Sequence, residues 1–555
     1  MTIGATFAGV AAAAAKAPRV SVSQRVVVVR SSTPVKVLGR RQVVFLDARS
    51  HRLHWRLLTH GYQRVHRFTV SSPVSVVRLG RRALRRRNGR WLGARIVRVD
   101  SRQPALSSPV APVGPSAPAP TRQMQASVAP VVAQTTTQPK SPVESAPTHP
   151  VIPPATPRAP VESSLPLVSP ASASAFTDSV GVNVHMSYFS TAYNNWQQVR
   201  DKLVELGVHH VRDAACVGCT AQRQRLQSLA ASGIGVDYMM GAPGGTTGSL
   251  PDLVNMLAGP MRSTVDAVEG PNEYDQSGDA NWITNLRSYQ QQLYSLMKGN
   301  ASLASVPVIG PSLVKSSSFA ALGDLSGAMD WGNMHPYAGG QLPASTLSFN
   351  STSEISVAAT KRAVATEAGY QNALNATSGQ PPVSEDAAGA YIPRLVLDMF
   401  QVGVPRTYLY ELLDEKPDPG LTQPESDFGL LRNDFSEKPA FRDLAALMHM
   451  AAPVGSFDAA PLHVQVDGPA DLHQLLIQTS SSSYSLVLWR DVKVWDQSGR
   501  KAIDVSPADA TVQLGPEVRS AELSYLNDAD TPESVSNTVA EVALTGMPAV
   551  LKLSI

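Results

Sequence analysis

A (β/α)8 barrel with a C-terminal β-sandwich and a long disordered N-terminal region is the fold that the sequence predicts. Three observations carry it. Strand and helix patterns alternate eight times between residues 175 and 453, the pattern turns to period-two alternation over 454–555, and basic residues and prolines dominate everything before 175. At 555 residues the chain is too long for one ordinary domain, and its 43% hydrophobic content is enough for a large core.

Charge separates the first element from the rest. In residues 1–105, 22 Lys and Arg face only Asp47 and Asp100, so a net +20 there leaves −16 for the remainder of a chain whose formal charge is +4. The run "RLGRRALRRRNGRW", Arg78 to Trp91, has the charge to neutralise phosphates or an anionic surface. It has neither a sustained helical period nor a binding motif, so a basic disordered tail is expected and specific nucleic-acid binding is not. Arg/Val/Ser-rich text of this kind also fits a translation begun too far upstream, with Met124 as a later start. The opening residues are apolar and Ala-rich but lack a basic n-region, which makes a poor secretory signal. No window reaches the ~18 apolar residues of a membrane span. A soluble protein, exported or held at the cell envelope, is the expectation.

Residues 106–174 are Pro-, Ala- and Ser-rich, as in "THPVIPPATPRAPVESS". Prolines this dense remove backbone donors and fix φ, so the segment reads as an extended linker.

The barrel, 175–453, follows strand by strand. "SVGVNVH" (Ser179 to His185) opens it and "WQQVRDKLVELG" is the first helix, with apolar residues at helical spacing and a Gly stop. "VHHVRDA" (Val208 to Ala214), the helix "AQRQRLQSLAASG" and "IGVDYMM" (Ile234 to Met240) continue the alternation. The fourth strand is "VDAVEG" from Val265, followed by the long helix "WITNLRSYQQQLYSLMKG". "VPVIGP" (Val306 to Pro311), "AMDWGNMHPY" (Ala328 to Tyr337) and "RAVATEAGY" (Arg362 to Tyr370) are the fifth to seventh. After "AGAYIPRLVLDMFQVG", the segment "RTYLYELL" (Arg406 to Leu413) is the eighth, and "KPAFRDLAALMHMA" closes the domain. A doubly wound sheet is the alternative, but no Gly-rich phosphate turn follows the first strand.

Catalytic groups of such barrels project from the carboxyl ends of the strands. Those ends carry His185, Arg212 and Asp213, Asn272 and Glu273, His335 and Tyr337, Glu367, and Tyr410 or Glu411. Two carboxylates from different strands are the minimal machinery for cleaving a glycosidic bond: one protonates the leaving oxygen, the other attacks the anomeric carbon or activates water. Glu273 and Glu367 fit, with Glu411 as rival nucleophile. Glu269 reads as a solvated or strand-capping residue, and Arg212 has Asp213 as an alternative ion-pair partner. Trp331 offers either a sugar-stacking platform or inward barrel packing, and His185 either substrate contact or core packing.

"EGPNEYD" resembles the Asn-Glu acid/base motif on strand four of clan A glycoside hydrolases, and "ATEAGY" resembles that clan's nucleophile motif on strand seven. Arg212 matches the second-strand Arg, "NMHPY" the sixth-strand His-x-Tyr, and "DFGLLRNDFSEKPAF" the final loop and helix. Five motifs stand in the clan's order, and family 39 is the nearest resemblance. Pro271 and Tyr274 stand where that family usually has Trp and Pro around Asn-Glu. The resemblance implies Glu273 as acid/base, Glu367 as nucleophile of a double displacement with retention, and Asn272 on the sugar 2-hydroxyl. It further implies that Arg212 holds Glu367 ionised, that Tyr337 orients it, and that His335 lines the subsite of the cleaved sugar, with Tyr410 at the eighth strand end. A poly- or oligosaccharide is the expected partner. A transglycosylase with the same site and a non-catalytic carbohydrate-binding surface protein are the alternatives.

Cys216 and Cys219, the only cysteines, form a Cys-x-x-Cys pair after strand two. Two thiols cannot close a four-cysteine zinc site, so the readings are a small disulfide in an exported protein or two inert thiols, with no metal or organic cofactor implied. Over 454–555, segments such as "LHVQVDG" and "SAELSYLN" alternate at period two, as a β-sandwich does. A structural role against the barrel is expected of it.

Overall fold

The computed structural model describes residues 164–555, of 348–353 the backbone alone, and, before them, the backbone of eight short strands between Arg19 and Ala94. Those strands pair as two antiparallel sheets of three and five. The expectations for the rest of 1–105 and for most of the 106–174 linker lie outside the described residues.

Eight parallel strands form the barrel: β1 Val180–Asn183, β2 His210–Ala214, β3 Gly235–Met239, β4 Val265–Glu269, β5 Val308–Ile309, β6 Gly332–Met334, β7 Ala363–Ala368 and β8 Thr407–Leu409. Each pairs with its neighbour in order and β1 pairs with β8. Ile309 bridges to Trp331, and the Gly310 N–H donates to the Trp331 carbonyl at 2.8 Å, which closes β5 onto β6. The strands are short and buried on both faces, which is why they read as near-continuous apolar runs.

Eight helices surround them: α1 Trp196–Leu206, α2 Thr220–Ala231, α3 Leu250–Ala258, α4 Trp282–Gly299, α5 Ser316–Leu322, α6 Leu347–Ala358, α7 Glu385–Gln401 and α8 Pro439–Ala451. Local chemistry sets their ends. Ser249 and Ser384 accept the N–H three residues on and so cap α3 and α7, while Gly207, at φ +79°, ends α1 in the left-handed conformation that glycine adopts without penalty. α5 and α6 are elements that the apolar periodicity does not announce, whereas α3, which the sequence reading leaves out, carries Leu250, Leu253, Val254 and Leu257 at helical spacing.

Inside the barrel, toward the strand starts, Ala267, Ile309, Val364 and Tyr408 form an apolar cluster with Trp331 packed against it, and the fully buried Asp237 of β3 stands level with Ala267. Tyr408 fills the space beside Gly181, where any Cβ would stand 2.4 Å from its ring. The layer above, toward the strand ends, is polar and holds the candidate site.

The C-terminal segment is a sandwich of two sheets. One has Leu472–Ser480, Ser483–Arg490, Ala549–Ser554, Ser520–Tyr525 and Glu533–Val535; the other has Leu462–Asp467, Ala508–Leu514 and Val539–Leu544. Each sheet also gains two residues from ahead of the barrel: Ala171–Ser172 pair with Ile477–Gln478, and Leu167–Val168 with Leu462–His463. Period-two alternation puts Val464, Leu486, Leu488, Val512, Val542 and Leu551 between the sheets. The outer face of the larger sheet joins the barrel core through Ile477, Val487, Trp489 and Val550. Trp489 Nε1 donates to Asp398 of α7 at 2.7 Å and Trp495 Nε1 to the Pro382 carbonyl at 3.0 Å.

Candidate active site

Strand β4 delivers the first carboxylate. After Glu269 the chain turns at Gly270, where a Cβ would stand 2.1 Å from buried Gln290 Oε1 and 2.9 Å from the Pro311 nitrogen, so only glycine fits. Beyond that turn, Glu273 takes a left-handed backbone (φ +47°), uncommon for a residue with a Cβ and characteristic of functional turns. Its N–H is held by Ser312 Oγ at 3.1 Å. Strand β7 delivers the second carboxylate, Glu367, which is 9% exposed. One carboxyl oxygen of Glu273, one of Glu367 and one His335 ring nitrogen all lie within 4.8 Å of each other.

The two carboxyls sit in different surroundings. Arg212 Nη1 donates to Glu367 Oε1 at 2.7 Å and the Tyr337 hydroxyl to Oε2 at 2.8 Å. Burial works to raise the Glu367 pKa, but the charges of His335 and Arg212 and these two hydrogen bonds outweigh it and hold the carboxyl below its ordinary value. Tyr337 stays protonated, its pKa pushed well up by burial and by Glu367, so it remains a donor.

Glu273 instead meets His335, whose Nδ1 lies 2.8 Å from Oε1. The partners of that imidazole decide its tautomer. Asn333 Nδ2 donates to Glu269 Oε2 and to the Gly310 carbonyl, so Asn333 Oδ1 accepts the one Thr366 hydroxyl proton at 2.7 Å. Thr366 Oγ1 must then accept from His335 Nε2, 3.0 Å away. With Nε2 carrying its hydrogen, the contact at 2.8 Å between Nδ1 and Glu273 needs one further proton, which the imidazole and the carboxyl share. That proton is what a general acid supplies.

Arg212 organises the layer beneath. It is 2% exposed, and besides Glu367 its guanidinium reaches Glu269 Oε1 at 2.6 Å, Asn183 Oδ1 at 2.9 Å and Asn272 Oδ1 at 2.6 Å. Burial alone would lower its pKa; Glu269 and Glu367 reverse that and keep it charged. Asn272 Oδ1 is committed to Arg212, so the group it offers a ligand is its amide N–H.

Other expected positions land differently. Asp213 is not the ion-pair partner of Arg212: its carboxylate turns the other way, accepting from the Met186 and Ala214 N–H groups at 3.1 and 2.8 Å, and burial pushes it up to about 7. Glu269 is neither solvated nor a cap but fully buried inside the barrel. Trp331 cannot stack on a sugar at the mouth: it lies one inward-facing residue below Asn333, in the apolar cluster near the strand starts. His185 is at the mouth; its Nε2 lies 3.3 Å from Glu411 Oε2, and burial, aided by Arg212, lowers its pKa to about 4. Tyr410 packs edge-on to His185 with centroids 5.8 Å apart. Glu411 is fully buried and accepts from the Tyr193 hydroxyl at 2.7 Å; burial pushes its pKa well up, which makes it a poor nucleophile. Asn183, Glu269, Asn333 and Thr366 are site residues that sequence reasoning missed.

Cys216 and Cys219 are joined in a disulfide in the loop after β2. Besides the Glu273–His335–Glu367 group, His185, Glu411 and Glu415 bring ligand-type atoms within 4.8 Å of one another. No helix among the described residues is long and apolar enough to cross a membrane.

No protein-family model and no curated protein matches the chain. Solved structures do. The chain is similar to a monomeric β-xylosidase from Caulobacter crescentus CB15, with a TM-score of 0.50 and 14% identity over 70% of this chain and 97% of that one. It is also similar to a family 39 glycoside hydrolase from the gut symbiont Bacteroides cellulosilyticus WH2, with a TM-score of 0.45 and 12% identity over 96% and 98% of the two chains. A family 17 β-1,3-glucanosyltransferase from Rhizomucor miehei gives 0.39 and 20% identity over 48% of this chain and 97% of that one. At such identities the likeness is one of fold.

Proposed function

We propose that this chain is a retaining glycoside hydrolase of the clan A type, family 39-like, acting on O-glycosidic bonds of an oligo- or polysaccharide. The observation that carries the reading is a pair of carboxyls with oxygens within 4.8 Å, one held anionic by Arg212 and Tyr337, the other paired with a proton-bearing His335 contact. A retaining mechanism places the two carboxyls roughly 5–5.5 Å apart and an inverting one ~6.5–9.5 Å, and the anionic state of Glu367, held by Arg212 and Tyr337, is what favours its role as nucleophile.

In the first step a Glu367 oxygen attacks the anomeric carbon, the bond to the leaving oxygen breaks, and that oxygen takes the proton held at Glu273. Arg212 and Tyr337 release part of their hold on Glu367 as its charge moves to the sugar, and the Asn272 amide strengthens its bond to the 2-hydroxyl as the oxocarbenium ion develops. In the second step a water gives its proton to Glu273 and attacks the same carbon, which frees Glu367. A sugar hydroxyl in place of that water gives transglycosylation.

The test is incubation with a panel of β-linked glycans. Wild type is expected to release reducing ends with retained anomeric configuration by NMR, and Glu367→Ala none. Inversion would remove the nucleophile assignment; binding without turnover would make the chain a carbohydrate-binding protein. The Cys216–Cys219 disulfide supports an oxidising, extracytoplasmic setting, which cell fractionation checks.

A further inference from the structure

The cleft has a direction. Glu273, which serves the leaving oxygen, follows β4, and in the closed eight-strand order β8 lies across the barrel from β4, with β1 paired beside it. A sugar whose anomeric carbon meets Glu367 with its leaving group toward Glu273 therefore extends its other end toward the loops after β8 and β1.

Those loops carry an aromatic wall. The Tyr188 ring stacks on His185 with centroids 4.4 Å apart and planes 7° from parallel, yet Tyr188 is 40% exposed. One face is covered by the imidazole, so the exposure belongs to the other face and the edge. The loop is held rigidly. The Tyr188 N–H bonds the His185 carbonyl at 2.9 Å, and the Met186 N–H bonds Asp213. Arg225, which donates to the Met186 carbonyl at 3.0 Å, lays its guanidinium over Phe189 at 4.6 Å. The β8 loop is tied in where the Ala192 N–H donates to the Glu415 carbonyl at 3.1 Å, and the Glu415 carboxylate stands in the same group as His185 and Glu411.

An open, preorganised aromatic face beside carboxylate acceptors is the chemistry that takes a sugar ring: the ring's C–H face stacks and its hydroxyls donate. We propose that Tyr188 and Glu415 form a second glycone subsite, so that the substrate is a glycan with at least two sugars on the glycone side of the cleaved bond. This rests on the glycosidase reading above.

The experiment compares 4-nitrophenyl glycosides of single sugars with those of the matching disaccharides, over xylose, glucose and mannose series with β-1,3 and β-1,4 links. For the series that is cleaved, wild type is expected to show kcat/KM roughly two- to tenfold higher on the disaccharide glycoside, about the worth of one stacked ring. In Tyr188→Ala that ratio collapses toward one, and in Tyr188→Phe, which keeps the ring, it survives. Equal kcat/KM for the two wild-type substrates, or a Tyr188→Ala loss that leaves the ratio intact, overturns the subsite while the glycosidase reading stands. Release of 4-nitrophenol from no member by wild type overturns both.

Discussion

Replacing Tyr337 with phenylalanine removes one hydroxyl from the nucleophile and little else. The ring keeps its edge contact with Phe428, centroids 5.8 Å apart, while Glu367 Oε2 loses the donor that stood 2.8 Å away. A hydrogen bond to a charged, buried acceptor is worth about 1.5–3 kcal/mol, and about 1.4 kcal/mol corresponds to one pH unit. The anion is what loses support, so the Glu367 pKa rises and the acidic limb of kcat/KM moves up by roughly one to two pH units. Stability obeys the same sign. Glu367 is held below its ordinary 4.5, so it contributes stability that is present above 4.5 and lost as the pH falls through its native value. Tyr337→Phe should therefore cost about 1.5–3 kcal/mol at neutral pH and less in acid. The assay is a pH profile on an aryl glycoside with a good leaving group, together with denaturant titrations at neutral and acid pH. A variant that loses activity with its acidic limb unmoved would refute the reasoning and reduce Tyr337 to a wall of the pocket.

Glu273→Ala should slow natural glycans by about 10²–10⁴ but aryl glycosides with good leaving groups far less, because a good leaving group needs no proton; equal slowing removes Glu273 as the acid. Glu354 of α6 is 3% exposed, and burial raises its pKa to about 8. A raised carboxyl gives stability that is complete below the unfolded value near 4.5 and drains as the pH climbs toward 8, so Glu354→Gln should gain on wild type between pH 5 and 8 in denaturant midpoint; a constant offset speaks against it. The Cys216–Cys219 bond spans a sequence separation of only 3, so reducing it should cost about 2 kcal/mol on the loop-entropy account, visible as a modest fall in Tm with reductant. A collapse of the fold on reduction would contradict that.

The strands were legible because parallel barrel strands, covered on both faces, spell themselves as short apolar runs that end in polar residues. Helices α5 and α6 were not, because "SSSFAAL" and "LSFNSTSEISVA" are rich in Ser and Thr and carry no clear apolar stripe. Glu273, Glu367, Arg212, His335 and Tyr337 could be singled out since each stands at a strand end within a local motif. Glu269 could not: a strand-end Glu is usually solvated, and what turns this one inward is an arginine 57 residues earlier in the chain. Asn333 and Thr366 matter through a hydrogen-bond chain to His335 that no spacing reveals. Trp331 shows the same limit, since its depth in the barrel depends on how far neighbouring strands are staggered.

The residues at 167–172 enter the barrel by way of the sandwich, adding a two-residue edge to each of its sheets. The doorway to the first barrel strand is thus latched by residues 454–555, which are made only after the whole barrel. A nascent chain that has completed all eight strand–helix units still has a loose threshold until 454–555 emerge. Nor is Pro453 a clean place to cut: a fragment ending there would keep Asp398 and the Pro382 carbonyl without their indole partners and leave the lead-in strand with nothing to pair.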